Sequence, residues 1–242
     1  MRRGANRVSP AKDLLVAGGE EFAARKPRAM GRLYRTRPLQ EFLNDAADLL
    51  LSPDAPQMAS YIAGKVFHRL ERVGHLQAGG DVRLRPQGMA AALSNLSAAG
   101  GRHARIAASL AAFVEDLPWR RVRGGPFASI NFARSGALAT IAGPDGLEER
   151  ADMRIGLVFM EPYSRFPDHD EARARTFLFL SKGEASLGDG AWMPAAVGTV
   201  LANEAGERFA MRCTSQPLLS LWCEFEPGHR LRPQRKVHAN LF

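Results

Sequence analysis

The chain has 242 residues, 45% of them hydrophobic, and a formal net charge of +8. That length allows one large or two small domains with a buried core, and no apolar run approaches the roughly 18 residues of a membrane-spanning helix. The basic opening MRRGANRVSPAKD is not followed by an apolar stretch, so a secretory signal is not expected and a cytoplasmic location is.

Residues 1–36 lack sustained periodicity and are expected to be loosely structured. Residues 1–37 contain ten Lys/Arg against three Asp/Glu. Residues 37–118 form the expected helical region. In RPLQEFLNDAADLLLS, Leu39, Phe42, Leu43, Ala46 and Leu50 fall on one helical face, and Pro38 suits the first turn. MASYIAGKVFHRLERV repeats the pattern through Met58, Ile62, Val66, Leu70 and Val73. The Gly/Pro-rich QAGGDVRLRPQG breaks it. MAAALSNLSAAG and HARIAASLAAFVEDL then predict two more helices, the second closed by Pro118.

From Trp119 the pattern changes. Seven short apolar runs alternate with turn residues: FASINFAR, ALATIAGPDG, MRIGLVFMEP, RTFLFLSKGEASLGDG, GTVLANEAG, RFAMRCTS and PLLSLWCEF. Residues 119–226 therefore predict an all-β sandwich or barrel. The tail 227–242, PGHRLRPQRKVHANLF, holds four Lys/Arg and no acid. The basicity thus sits in the two ends, leaving about −3 for the middle. Such tails offer weak, salt-dependent contact with an acidic partner; specific nucleic-acid recognition is not expected. Cys213 and Cys223 have no zinc-site spacing and read as free buried thiols of a reducing compartment.

The chemistry is concentrated in FPDHDEARARTFLFLSKGE, Phe166 to Glu184. His169-x-Glu171, a four-residue spacer, Thr176 and six further residues lead to Gly183; later, Gly190 and five residues precede Ala196-Val197-Gly198. This layout resembles the two cupin motifs, with alanine in place of a proline in the second. It implies a mainly β cupin, a double-stranded β-helix or jelly-roll barrel, here with an α-helical N-terminal extension. The stretches LPWRR, IAGPDGL, RIGLVFMEPYSRFPDH, FLFLSKGEASLGDGAW and FAMRCTSQPLLSLW resemble the bacterial dimethylsulfoniopropionate (DMSP) lyases of the cupin type. The likeness covers roughly residues 104–226.

The resemblance implies a metal-dependent carbon–sulfur lyase. In that family a divalent metal (Zn, Fe or Mn), held by two histidines and a glutamate, binds the substrate carboxylate. A tyrosine removes the α-proton, and dimethyl sulfide leaves to give acrylate. Coordination makes the carboxylate a better sink for developing charge, and the base must reach the proton it takes.

This chain departs from the pattern at several positions. Where the family has YPxHxHxxxExY, it has FPDHDEARARTF. The first histidine is kept as His169. The leading tyrosine falls on Phe166 and the second histidine on Glu171. The glutamate falls on Arg175, or on Thr176 if the longer spacer is absorbed earlier. The base tyrosine falls on Phe177 and the late histidine on Phe209. Arginine has no lone pair to offer, and beside a divalent cation it adds repulsion of roughly several kcal/mol. Phenylalanine neither ligates nor moves a proton. No cofactor is therefore expected, with His169 and Glu171 the remaining candidate metal ligands. Asp168 and Asp170 flank them, but successive strand residues point to opposite faces, so only two of the four converge. A solvated acidic turn paired with Arg173 and Arg175 is the plainer reading.

Tyr163 and His169 are the candidate catalytic residues, Tyr163 either as a substitute phenol or as a turn residue on the barrel rim. Glu207 and Arg208 read as an exposed pair. Glu224 shares strand parity with Ser220 and Trp222, opposite the apolar Leu219, Leu221, Cys223 and Phe225. If that parity turns it inward, Arg175 is its natural ionic partner, because a buried carboxylate needs one. Arg175, Glu224 and Trp222 then form a candidate pocket for a small carboxylate or zwitterion. G-x-S-x-G, P-loop, C-x-x-C and H-E-x-x-H signatures are absent. Three readings follow: a lyase-family cupin without ordinary lyase activity, an active enzyme with an altered site, or an interaction module using the basic tails. The cupin resemblance alone suggests a homodimer, since cupins often dimerise; the residues themselves do not fix the oligomeric state.

Overall fold

A computed structural model describes residues 34–77, 84–170 and 172–225 of the chain. Residues 1–33, 78–83, Glu171 and the tail 226–242 lie outside the described residues, and with them the expectations made for the two basic ends.

The helical layer opens with α1 (Arg37–Leu50), whose first turn contains Pro38. Leu39, Phe42, Leu43, Ala46 and Leu50 are all buried, as their spacing predicts. In α2 (Gln57–Leu70) the buried face is Ala59, Ile62, Ala63, Val66 and Leu70. Met58 and Val73, expected on that face, are exposed. Met58 lies in the first turn, and the helix ends before Val73. A two-residue strand, β1 (His75–Leu76), follows inside the region read as helical. It pairs with β4 (Glu148–Glu149). Helices α3 (Met89–Ala98) and α4 (Gly101–Ala111) complete the layer.

The β part begins with β2 (Arg120–Arg121). The run FASINFAR is not a strand: it turns and closes as the short helix α5 (Phe132–Ser135). Phe132 is completely buried there, and a Cβ on Gly136 would sit 2.6 Å from its ring. The glycine lets the chain double back over the phenylalanine, which explains why an apolar run gives a turn. The strands β3 (Ala137–Gly143), β5 (Met153–Met160), β6 (His169–Asp170), β7 (Arg175–Phe179), β8 (Gly183–Leu187), β9 (Met193–Ala195), β10 (Val200–Asn203), β11 (Arg208–Arg212) and β12 (Leu218–Phe225) follow. The run RTFLFLSKGEASLGDG holds two of them.

They form two sheets. The larger runs β1-β4-β3-β5-β12-β7-β10, with β2 on β3; the smaller runs β6-β11-β8-β9. One face of the larger sheet carries Leu219, Leu221 and Cys223 into a core shared with all four helices. The opposite face carries Leu218 and Trp222 into a second core, shared with Phe209 and Met211 of the smaller sheet. A strand sandwiched between two apolar layers is buried on both sides, so β12 reads as a near-continuous apolar run. Fully burying each large side chain contributes roughly 1.5–3 kcal/mol, which makes the helices part of the same folding unit.

Two polar ties fix the helical layer. The Thr176 hydroxyl donates to the Ala59 carbonyl at 3.1 Å. Arg35, within the stretch expected to be loose, is anchored instead. Its Nε and Nη2 reach the two oxygens of Glu148 at 2.6 and 3.0 Å, and Nη2 also bonds the Leu70 carbonyl. Among the described residues no helix is long and apolar enough to cross a membrane.

Candidate ligand site in the jelly roll

Antiparallel register decides which side chains meet. Trp222 lies opposite Phe177 and Gly156, and Glu224 opposite Arg154. Alternation then places Leu138, Thr140, Arg154, Val158, Arg175, Phe177 and Trp222 on the interior face of the larger sheet. On the smaller sheet Phe209 faces His169 on one side and Leu187 on the other. Between the sheets lies a cavity of about 320 Å³, lined by Leu138, Val158, Phe166, Phe177, Met211 and Trp222 and by the polar Arg120, Thr140, Asp145, Arg154, His169 and Arg175. Gly156 makes room for one wall. A Cβ there would lie 2.4 Å from the Ala139 carbonyl and 3.0 Å from the Trp222 indole.

The parity argument for Glu224 corresponds to an observed contact. The carboxylate is completely buried, and Arg175 Nε meets it at 2.6 Å. Arg154 and Arg173 approach its other oxygen at 3.4 and 3.7 Å. The Arg175 guanidinium also lies over the Trp222 ring, 4.8 Å from its centre. Arg175 and Trp222 line the cavity, whereas Glu224 lies behind them and not in the wall. Thr176, the alternative position for the family glutamate, points the other way, into the helical layer. Arg175 is therefore the residue that faces the interior.

Phe177 and Phe209 close the space between the sheets. Their rings stack at 11° with centroids 4.2 Å apart, closer than the usual aromatic range of roughly 4.5–7 Å. His169 packs edge-on to Phe209 at 5.9 Å and against Phe166 at 4.9 Å. Phe166 in turn meets the buried Phe132 at 5.1 Å. The retained histidine thus sits in a row of phenylalanines, its Nδ1 2.9 Å from the Pro167 carbonyl. Tyr163 is not part of this group: it is 71% exposed, on a turn with φ +60°. Asp168 is engaged by Arg165 at 2.6 Å.

The described residues of this wall do not supply a ligand set for a resident divalent metal, and Glu171, the other candidate ligand, lies outside them. Among the described residues no three His, Cys, Asp or Glu side chains converge. The interior positions corresponding to ligands present a guanidinium at Arg175 and an apolar ring at Phe209, neither with an electron pair to give. Four polar lining residues, Arg120, Thr140, Asp145 and Arg154, were not anticipated from the sequence. Arg154 had a readable signal, as the single charge in the apolar strand MRIGLVFM. Arg120 and Thr140 had none without the pairing of β2 and β5 on β3.

Burial raises both thiols. For Cys223 desolvation, aided by the neighbouring Glu224 charge, pushes the pKa to about 12. For Cys213 desolvation again leads and outweighs its backbone hydrogen bonds. Both cysteines are free and buried.

Two face-packed sheets, antiparallel except where β4 runs parallel to β3, with a cavity between them and helices over one face, are a cupin jelly roll. The DMSP lyase family model matches residues 60–220, and the chain belongs to the DMSP lyase family. The DMSP lyase DddQ from Ruegeria pomeroyi DSS-3 superimposes with a TM-score of 0.59 at 18% identity, over 80% of this chain and 94% of that one. A structure from a set described as the DMSP lyases RdDddP and RnDddQII gives 0.55 at 15% identity, over 79% and 94%. At these identities the likeness is one of fold. No curated protein matches the sequence.

Proposed function

We propose that this member of the DMSP lyase family is a ligand-binding cupin without ordinary metal-dependent lyase activity. One observation carries the reading: the Phe177–Phe209 stack fills the space between the sheets where the family pattern calls for a base and a ligand. An interior that is already packed has little room for an ion and its waters. The cavity that remains lies beside the stack, with arginines and an indole in its wall, and suits a small carboxylate or zwitterion. Free buried thiols accord with a reducing, cytoplasmic setting.

The test has two readouts. Full-length protein incubated with zinc, iron or manganese and then desalted retains far less than one metal per chain, and Phe209→His does not restore binding because Arg175 remains. Headspace analysis of the metal-treated protein with DMSP shows no dimethyl sulfide above the uncatalysed level. Stoichiometric metal abolished by His169→Ala, together with release of dimethyl sulfide, overturns the reading in favour of an enzyme with an altered site.

A further inference from the structure

The loop between β2 and α5 holds two large apolar side chains in water: Phe127 is 69% exposed and Ile130 96%. Beside it, the turn after β5 exposes Tyr163. Hydrogen bonds tie the two segments together. The Ser129 amide donates to the Arg165 carbonyl at 3.2 Å, and the Arg165 amide donates back to the Ser129 hydroxyl at 2.9 Å. The Asn131 side-chain amide donates to the Ser164 hydroxyl at 3.1 Å. Phe127 and Tyr163 both have φ near +60°, where a bulky residue is an outlier. The Arg165 guanidinium lies 5.5 Å from the Phe127 ring centre and 5.1 Å from that of Trp192, which holds the phenyl ring in place. Exposed apolar groups scattered singly need no explanation. These three are gathered on tied segments, and two are kept against backbone preference. The surroundings are basic. Arg121, Arg123 and Arg134 are exposed and form no ion pair among the described residues. Arg121 and Arg134 share a cleft of about 430 Å³ with Arg85, Asn131 and Glu161. The nearby carboxylates are engaged: Glu161 accepts from the Gly88 amide at 2.9 Å, Glu115 pairs with Arg85 at 3.1 Å and Asp168 with Arg165 at 2.6 Å.

We propose that this end of the jelly roll docks on an anionic lipid bilayer, with Phe127 and Ile130 entering the acyl boundary and Arg121, Arg123 and Arg134 meeting the headgroup phosphates. The attachment is peripheral, since among the described residues no helix is long and apolar enough to cross a membrane, and it is independent of the cavity between the sheets. Size, shape and charge together select the occupant. The three side chains expose on the order of 400 Å², large aromatic groups offering roughly 150–250 Å² each when fully exposed. A stable protein interface takes roughly 800 Å² from each partner. The side chains also project into water instead of lining a groove, so they offer a partner protein little complementary surface. A bilayer needs no matching shape. Apolar side chains reaching roughly 5–10 Å into the boundary suffice when basic residues add attraction to anionic lipid. Guanidinium groups suit that role, because their forked donors match phosphate oxygens.

The two basic ends of the chain attract the same lipids, so the test must read position as well as binding. Ile130→Cys in the full-length protein is labelled with an environment-sensitive fluorophore; Cys213 and Cys223 are buried and stay unlabelled in the native state. With vesicles of phosphatidylcholine and phosphatidylglycerol the emission shifts to the blue and is quenched by doxyl-labelled lipid, and with phosphatidylcholine alone it does not. The same probe at Asp54→Cys, on the turn between α1 and α2 in the helical layer, shows neither change. In co-sedimentation, Phe127→Asn combined with Ile130→Ser lowers partition into the anionic vesicles by about tenfold or more. Its thermal midpoint is not lowered, because asparagine tolerates the left-handed backbone. Arg121→Gln combined with Arg134→Gln lowers partition severalfold. A silent probe at position 130, or equal shifts at positions 130 and 54, overturns the proposal. Partition unchanged in the Phe127/Ile130 variant does so too, and leaves the basic ends as the cause. An equal blue shift with heparin in place of vesicles assigns the face to an acidic macromolecule. Self-association in sedimentation velocity that the Phe127/Ile130 variant abolishes assigns it to a second copy of the chain, and either result overturns the lipid assignment.

Discussion

Among the described residues two glutamates are buried, and their surroundings differ in one respect. Glu148 is closed in by Arg35, which grips both of its oxygens, by Arg150 at 3.6 Å and by the Gly74 amide. Arg35 is itself sealed, with 4% of its side chain exposed. Glu224 is met by three arginines, but Arg154 and Arg173 have 35% and 39% of their side chains exposed, and Arg154 and Arg175 line a cavity. The first cluster faces only protein and locks the segment before α1 to the sheet. The second has protein on one side and solvent-accessible space on the other. The comparison teaches that the same ion-pair chemistry serves as a fastener where it is enclosed and as a wall of a site where it is open.

The largest expected effect follows from the closed cluster. Glu148→Ala leaves the Arg35 guanidinium buried without its counter-ion, a change that typically costs about 3–5 kcal/mol. Denaturant unfolding followed by circular dichroism measures it. A loss below about 1 kcal/mol would mean that water reaches Arg35 and that the two clusters do not differ.

Glu224→Gln is expected to cost less, about 1–3 kcal/mol. The amide keeps the shape and one acceptor, and Arg154 and Arg173 can turn further into water. If this variant loses as much stability as Glu148→Ala, the open cluster is a fastener too, and the distinction fails. Cys223 sharpens the measurement. It neighbours Glu224 on β12, and burial raises its thiol to about 12, so native protein at neutral pH resists disulfide reagents. Labelling that accelerates in Glu224→Gln while global stability is kept would locate the opening at β12.

How much of this was legible in the sequence differs between the clusters. Glu224 was readable because strand alternation is local: Ser220, Trp222 and Glu224 share parity within eight residues, and Arg175 lies in the motif region. The core face of α1 was readable for the same reason, its period being carried by adjacent turns. Arg35–Glu148 was not, since the partners are 113 positions apart and one lies in a stretch without periodicity. FASINFAR misled because an apolar run looks alike whether it pairs or folds over a buried ring, and only Gly136 hints at the second. The phenylalanines at 177 and 209 were legible as residue types. That they stack face to face depends on the spacing of two sheets, which no local pattern encodes.

The smallest expected effect tests the rim of the closed cluster. Arg150 holds Asp152 through two hydrogen bonds, at 3.0 and 2.9 Å, and Arg69 stands 3.7 Å away. Burial pushes the Asp152 carboxyl up, but the hydrogen bonds and charge of Arg150, a backbone hydrogen bond and the charge of Arg69 together bring it below the ordinary value. A carboxyl depressed in the folded state stabilises the fold above its unfolded pKa, about 3.9. That contribution is lost as pH falls through the folded value. Wild type should therefore exceed Asp152→Asn in stability at neutral pH, and the gap should close as pH drops below about 4. The gap should be smaller than the Glu224→Gln effect and should shrink in high salt, because 45% of the Asp152 side chain is exposed and such pairs are screened. Unfolding midpoints of both proteins between neutral pH and the acid limb measure it. A gap that stays constant with pH would show that Asp152 acts through packing. A gap as large as that of Glu148→Ala would show that Arg150, not Arg35, is what closes the cluster.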